Sequence, residues 1–335
     1  MKKQQVLVTG ACGFLGSHLV DALLTVDGFS VRATDVPEAN RTFLNPKADF
    51  IPSNLRNPKS LEAVLRGVKV VYHTAALFRY SAKWEDLYAV NVEGTQHLCH
   101  TAINADVSQL MLVSSAGVYG IPSTFPVRED DPKTPTNPYD RSKWEQEQIV
   151  QKICTDSKLA FTILRPAPIY GPRNRYGIGT IIRMVAKGQL QVIHKNMNTL
   201  VPLVSVFDVV GAALHLADYP AAIGEVYNVV DDSTYRKYDL LSYLAPLLDT
   251  KIHYNRISLP RFLLKMLATW SEWRARRSED REPKVEKATI DLLYNNYWFS
   301  NHKLKETGYR LLYPDARIGL KDTIDWYKQH DWLYK

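Results

Sequence analysis

Residues 6–16 read VLVTGACGFLG. Val6, Leu7 and Val8 form a short apolar run suited to a buried parallel strand, and the amphipathic stretch Leu15 to Leu24 behind them suits a helix. Gly10, Gly13 and Gly16, at three-residue spacing, occupy the turn between the two. Such a turn lets the backbone approach a pyrophosphate, and the open amides and positive dipole end of the helix hold it without a basic side chain. Glycines also mark ordinary turns, so the triplet takes its meaning from its surroundings. A second strand, SVRATD, ends in Asp35 about twenty residues beyond the loop, where a carboxylate can accept both ribose hydroxyls of a dinucleotide. That carboxylate repels a 2′-phosphate, which favours NAD over NADP, while Arg32 and Arg41 keep the NADP reading open. The plain alternative for Asp35, a solvated strand-end residue, leaves the spacing unexplained.

Strand-like apolar runs alternate with helical patterns through the first half, near Val6, Val31, Val68 to His73, Leu110 to Ser114 and Phe161 to Leu164. Alternation of this kind implies crossover connections and a parallel sheet covered on both faces, an α/β doubly wound fold of Rossmann type. From Pro166 onward the order loosens into loops rich in Pro, Gly and Asn (YGPRNRYGIG, HKNMNT), interrupted by a helix from about Asp208 to Leu216 and the strand EVYNVV. The expected division is a dinucleotide-binding domain at 1–170, completed by about 203–230, with 171–202 and 231–335 as a smaller substrate lobe over the C-terminal edge of the sheet.

Composition agrees with an enzyme of this size. The 335 residues suffice for one large domain plus a lobe, and a hydrophobic fraction of 45% is that of a globular protein. Met1 to Gln5 lead directly into a strand, and no apolar run reaches the roughly eighteen residues a bilayer helix needs, so the chain is expected in the cytoplasm. Cys12, Cys99 and Cys154 lack metal or redox spacing and read as reduced packing residues; no metal is expected. The net charge of +7 is modest, although Lys251 to Lys287 is noticeably basic. Nucleic acid is not an expected partner, because no docking motif accompanies the charge.

The chemistry lies in the second half of the sheet. Tyr139 and Lys143 in NPYDRSK stand at i and i+4, so both project from one face of a helix that begins after Pro138. A free tyrosine, with a pKa of about 10, is a poor base at neutral pH. A nearby ammonium and a positive nicotinamide ring both favour its phenolate, so the pair can accept a proton from an alcohol. Ser115 ends the strand LMLVSS, where its hydroxyl can hold the reacting oxygen. A Tyr and Lys at this spacing are also an ordinary solvent-facing pair; the dinucleotide loop and the strand-end serine argue against that here.

With these residues in view, the sequence resembles the extended short-chain dehydrogenase/reductases. The similarity runs through GACGFLG, HTAA (His73 to Ala76), NVEGT (Asn91 to Thr95), SSAGVYG, YDRSK and LRPAPIYGP, in order and over nearly the whole chain. The resemblance implies that Ser115, Tyr139 and Lys143 are the catalytic set, with Lys143 also on the nicotinamide ribose. It places Gly10, Phe14, Leu15 and Asp35 at the adenosine end, Ala75 and Ala76 along the cofactor, and Pro166 and Ile169 near the carboxamide. One departure is Asn54, before Leu55, where the family usually has an aspartate for the adenine amino group; Asn still offers a side-chain oxygen. His73 is expected to be structural. The resemblance also implies a homodimer through helices around Leu87 to Ala105 and Tyr139 to Ile153.

Within that superfamily, dehydratases carry acid and base carboxylates just after the serine or threonine, where this chain has Ala116 and Gly117. Dehydration is not expected. Nucleotide-sugar epimerases usually place an arginine seven residues before the aspartate equivalent to Asp208, and an asparagine after the Arg-x-x unit at Arg165; this sequence offers Val201 and Pro168. A diphosphate needs cations or amides to offset its desolvation, and Arg173, Arg175, Arg183 and Lys195 are left as substitutes. Further on, LPRFLLKMLATWSEWRARR puts Leu259, Phe262, Leu263, Met266, Leu267, Trp270 and Trp273 at helical spacings among Arg261, Lys265, Arg274, Arg276 and Arg277. Segment 259–277 reads as a helix packed on the lobe with its charged face solvated, as a lid, or as a peripheral membrane contact. The stretch from Tyr297 to Leu333 resembles the C-terminal section of 3β-hydroxysteroid and sterol dehydrogenases. The expectation is therefore an NAD-dependent dehydrogenase acting on a bulky, largely apolar secondary alcohol. A nucleotide-sugar 4-epimerase using the same residues is the alternative, and a catalytically silent NAD-binding sensor or scaffold a third class.

Overall fold

Strands β1 (Gln4–Thr9), β2 (Phe29–Thr34), β3 (Asp49–Phe50), β4 (Val68–His73), β5 (Gln109–Val113), β6 (Ala160–Pro166) and β7 (Val226–Val229) form one sheet in the order β3-β2-β1-β4-β5-β6-β7. All six pairings are parallel. The computed structural model describes residues 3–80, 82–276 and 286–334. The strand order reverses between β1 and β4, and this opens a crevice at the carboxyl ends of both strands.

The opening apolar run is buried on both sides because the strand pleat alternates its side chains. Val6 and Val8 pack with α1 (Phe14–Thr25) on one face, and Leu7 packs with α2 (Pro58–Leu65) on the other. A short helix α3 (Trp84–Leu87) runs through a π-helical turn into α4 (Gly94–Asn104), which shares the Leu7 face with α5 (Pro138–Thr155). The lobe contributes α6 (Ile178–Ala186) and α8 (Lys237–Leu247), while α7 (Val206–Ala217) returns to the sheet beside α1. Asp208 in the first turn of α7 accepts the backbone N–H groups of Leu312 (2.6 Å) and Tyr313 (3.0 Å), which ties the C-terminal segment down.

Helix α5 is unusual in burying polar residues. Glu147 meets Arg165 of β6 in a buried ion pair, Nη2 to Oε2 at 2.7 Å, and the remaining guanidinium donors reach the Tyr119 hydroxyl (2.8 Å) and the Glu129 carbonyl (2.9 Å). Tyr119 in turn donates to Asn228 Oδ1 on β7 (2.8 Å), so one network crosses three elements. Between the lobe and α1, Arg173 pairs with Asp21 (2.8 Å) and donates to Ser17 Oγ (3.2 Å), and His18 Nε2 bonds the Pro172 carbonyl (3.0 Å).

Helix α9 (Arg261–Arg276) departs from the simplest expectation for its sequence, in which apolar residues pack inward and charges are solvated. Arg261 and Lys265 instead turn toward Asp291 of α10 (Lys287–Tyr294), at 2.5 and 3.1 Å, and Ala268 is buried. The apolar residues face solvent, because the α10 carboxylate takes up the cations on the inner side. Arg277 lies outside the described residues. No helix among the described residues is long and apolar enough to cross a membrane.

Removing one member of a buried ion pair leaves an uncompensated charge. Glu147→Ala is therefore expected to cost about 3–5 kcal/mol of unfolding free energy, measured by urea denaturation.

Candidate functional site

The crevice between β1 and β4 is locked by side chains at the strand ends. Thr9 Oγ1 bonds His73 Nδ1 (2.7 Å) and Thr74 Oγ1 donates to the Thr9 carbonyl (2.6 Å). The second ring nitrogen of His73 meets Thr95 Oγ1 (2.9 Å), and burial holds the ring neutral, with its pKa lowered to about 3. His73 is thus a packing residue.

The glycine loop closes over that crevice. Gly10 has a φ of +66°, and a Cβ there would sit 2.7 Å from the Ala75 Cα. A Cβ on Gly16 would sit 2.1 Å from the Gly10 carbonyl oxygen, so strand end and helix start touch backbone to backbone. Helix α1 begins at Phe14 with no side-chain cap and no acidic residue in its first turn, which leaves its leading amides to an anion. Asp35, at the end of β2, accepts the N–H groups of Cys12 (3.0 Å) and Val36 (2.9 Å), and burial raises its pKa. These bonds orient the carboxylate and leave lone pairs for further donors. Arg32 points away, onto Asp49 (2.9 Å) and the carbonyls of Val64 and Arg66, and Arg41 lies over the Phe50 ring (4.1 Å). Asn54 lies exposed and accepts the Arg56 N–H (3.0 Å), and the next residue, Leu55, is buried. Ala75, Ala76 and Ile169 are half-buried, and Pro166 ends β6.

At the other end of the crevice, α5 meets the end of β5. Asn137 caps the helix by accepting the Asp140 N–H (2.9 Å), and Pro138 sits in the first turn, so the helix starts where the sequence requires. Lys143 is only 2% exposed, and its Nζ donates to the Val113 carbonyl (2.8 Å), two residues before Ser115. Ser115 Oγ accepts the Gly117 N–H (3.0 Å) at the start of a 3₁₀ turn, so its own proton is free for another acceptor. Asn91 clamps the loop after Ala76 to α5: it bonds both backbone groups of Leu77 (2.7 and 3.2 Å) and donates to Ser142 Oγ (2.8 Å). Of the three residues singled out from the sequence, Lys143 reaches the strand end two residues before Ser115, and Tyr139 lies one turn earlier on the same helix.

Burial shapes the electrostatics. Desolvation lowers the Lys143 ammonium from 10.5 to about 7, with the Glu147 charge opposing that shift. Desolvation also raises the Tyr139 phenol, reinforced by the neighbouring Asp140 charge. A phenol so raised stays protonated until a positive group is brought beside it.

A sequence profile of the NAD-dependent epimerase/dehydratase family matches residues 6–229. The chain belongs to that family. It is an NAD-dependent enzyme of the extended short-chain dehydrogenase/reductase type. Bovine sterol-4-alpha-carboxylate 3-dehydrogenase (decarboxylating) is 30% identical over 249 residues, 72% of this chain and 69% of that one. UDP-glucose 4-epimerase of Vibrio cholerae is 27% identical over 256 residues, 73% and 76% of the two chains. The solved UDP-glucose 4-epimerase of Thermotoga maritima superposes with a TM-score of 0.79 at 23% identity, covering 98% of this chain and 99% of the other, which shows a common fold.

The residues present fit the family's cofactor. Close-packed glycines, an uncapped helix start and a fixed strand-end carboxylate offer amides to a pyrophosphate and an acceptor to a ribose. Gly10, Gly13, Phe14, Leu15, Gly16 and Asp35 would hold the adenosine half, and Tyr139 and Lys143 the nicotinamide half. Among the described residues, no group of three or more His, Cys, Asp or Glu side chains is arranged to hold a metal ion.

Two features escape the sequence. Phe78, Tyr80 and Tyr176 close around Tyr139: the Phe78 and Tyr80 rings meet it edge-on at 4.8 and 5.7 Å, and Tyr176 meets Phe78 at 5.7 Å. No periodicity links positions in three separate segments. The second is Asp140, whose buried carboxylate lies over Gly117, where an added Cβ would be 2.1 Å from Oδ1. Burial pushes its pKa from 3.8 to about 6, against the pull of the Asn137 amide at 2.5 Å.

Because the folded form binds this proton more tightly than the unfolded chain, stability falls as pH rises between those two values. Above about pH 6 the buried charge costs on the order of 3 kcal/mol. Asp140→Asn is expected to melt higher than wild type near pH 8, with the gap closing as pH falls toward about 4, read by thermal unfolding across that range. Gly16→Ala is expected to lower NAD affinity at least tenfold in a fluorescence titration, since its methyl must displace the Gly10 carbonyl.

Proposed function

We propose that this enzyme interconverts a secondary alcohol and a ketone on a bulky, largely apolar substrate of the hydroxysteroid kind. The observation that carries this reading is the aromatic cluster in which Phe78 and Tyr80 pack on the Tyr139 ring and Tyr176 packs on Phe78. Flat rings packed edge to face suit a fused-ring hydrocarbon. Of the four cations that could meet a sugar diphosphate, three are engaged elsewhere, Arg173 on Asp21, Arg175 over the Trp332 ring (5.0 Å) and Arg183 on the carbonyls of Asn174 and Arg175, while Lys195 is exposed.

NAD, when bound, supplies the hydride acceptor and the positive ring charge. Ser115 donates a hydrogen bond to the substrate oxygen and positions it. Tyr139 takes the hydroxyl proton, its phenolate stabilised by the Lys143 ammonium, and in the reductive direction it returns that proton. Lys143 is fixed for this by the Val113 carbonyl, which keeps the ammonium on the helix face that carries Tyr139. Phe78 and Tyr80 exclude water from the phenol, so each charge acts in a medium of low dielectric.

The 4-epimerase reading uses the same groups and is favoured by the similarity to the Vibrio cholerae enzyme. The proposal extends to a cytosolic homodimer through the outer faces of α4 and α5, with 171–202 and 231–335 as the substrate lobe; light scattering on the purified chain reads the dimer.

Incubation with NAD and a panel of 3-hydroxysteroids is expected to accumulate NADH, whereas inversion of UDP-glucose without net NADH would favour the epimerase instead. Tyr139→Phe is expected to lower kcat by about 10²–10⁴-fold while the NAD dissociation constant moves less than roughly threefold.

A further inference from the structure

We propose that α9 docks this protein on an anionic membrane surface through its outward apolar face. At 3.6 residues per turn, Phe262, Leu263, Met266, Leu267, Trp270 and Trp273 fall within about 140° of the helix circumference. All six are exposed, Phe262 at 62%, Met266 at 66% and Trp270 at 55%. The opposite side is spoken for: Ala268 is buried, Leu264 half-buried, and Arg261 and Lys265 pair with Asp291 of α10. The helix therefore cannot roll its apolar face inward without breaking those ion pairs, and solvent-facing apolar surface of this continuity marks a contact site.

Charge selects the occupant. Residues 251–276 hold six Lys and Arg and a single acidic residue, Glu272, a net charge of +5, or +4 when Asp291, the partner of Arg261 and Lys265, is counted with them. Lys251, Arg256 and Arg274 are exposed, and Arg274 lies over the Trp270 ring (5.3 Å). A second copy docking through this face would bring basic flank against basic flank, whereas anionic headgroups neutralise both. Trp270 and Trp273 suit the headgroup level, where an indole is half wet, and Arg274 can extend along the ring to phosphate. A 16-residue helix of about 24 Å lying flat buries this face to the headgroup boundary without crossing the bilayer.

The helix that carries the docking face packs on α10. Helix α10, packed on α9, begins after Glu286 and leads to Tyr297; Glu286 and Tyr297 act electrostatically on Tyr80, and Asp140 on Tyr297. The docking itself stands apart from the choice of substrate.

The test is flotation of the full chain with vesicles of phosphatidylcholine and phosphatidylglycerol in equal parts, against phosphatidylcholine alone, at low and high salt. The protein is expected to float with the anionic vesicles and about tenfold less with the neutral ones or in high salt. Met266→Asp combined with Trp270→Ser is expected to abolish flotation while NADH binding, followed by fluorescence, is unchanged. Wild type that stays unbound at either salt, or a double variant that floats as well as wild type, overturns the proposal. So does a wild-type dimer that the double variant splits without any vesicle binding, which would assign the face to a second copy.

Discussion

Helix α5 buries a polar stripe, and this constraint governs the rest of the molecule. Tyr139, Ser142, Lys143, Gln146 and Glu147 all lie on its inner side. Burying such groups without partners costs several kcal/mol each, so the elements packed against the helix must answer them. They do so with Val113 for Lys143, Arg165 for Glu147, Thr95 for Gln146 and Asn91 for Ser142. Three segments distant in sequence are thereby held in register by one helix, and the crevice they surround inherits their rigidity.

The same burial sets the chemistry. An ammonium out of water is poised near neutrality, and a phenol beside it resists ionisation until further positive charge arrives. Burial alone keeps the phenol in its protonated form. The aromatic rings at the mouth add to this by keeping solvent from the phenol. Protection and reactivity come from one cause.

Much of this was legible in the chain because it rests on local spacing. Strand-then-glycines, Asp35 at its interval, Ser115 at a strand end, and Tyr139 with Lys143 on one helical turn are periodic features, and periodicity is what a sequence displays directly. The aromatic wall was not legible, because Phe78, Tyr80 and Tyr176 meet only after the lobe folds over the sheet. Asp140 was hidden for a different reason: its neighbour Gly117 makes room that no one-dimensional pattern records. In α9 the amphipathic pattern revealed two faces but not which one turns inward. That choice fell to Asp291, more than a dozen residues further along, which draws Arg261 and Lys265 beneath the helix.

The contacts that join the lobe to α1 deserve their consequence. Arg173 adopts a φ of +67° to reach Asp21 and Ser17, and the neutral His18 holds the Pro172 carbonyl. These fastenings sit on the middle of the helix whose first turn faces the pyrophosphate. The seat of residues 172–173 is thus set by the flank of the same helix that offers its leading amides to the cofactor, so the two positions are mechanically tied.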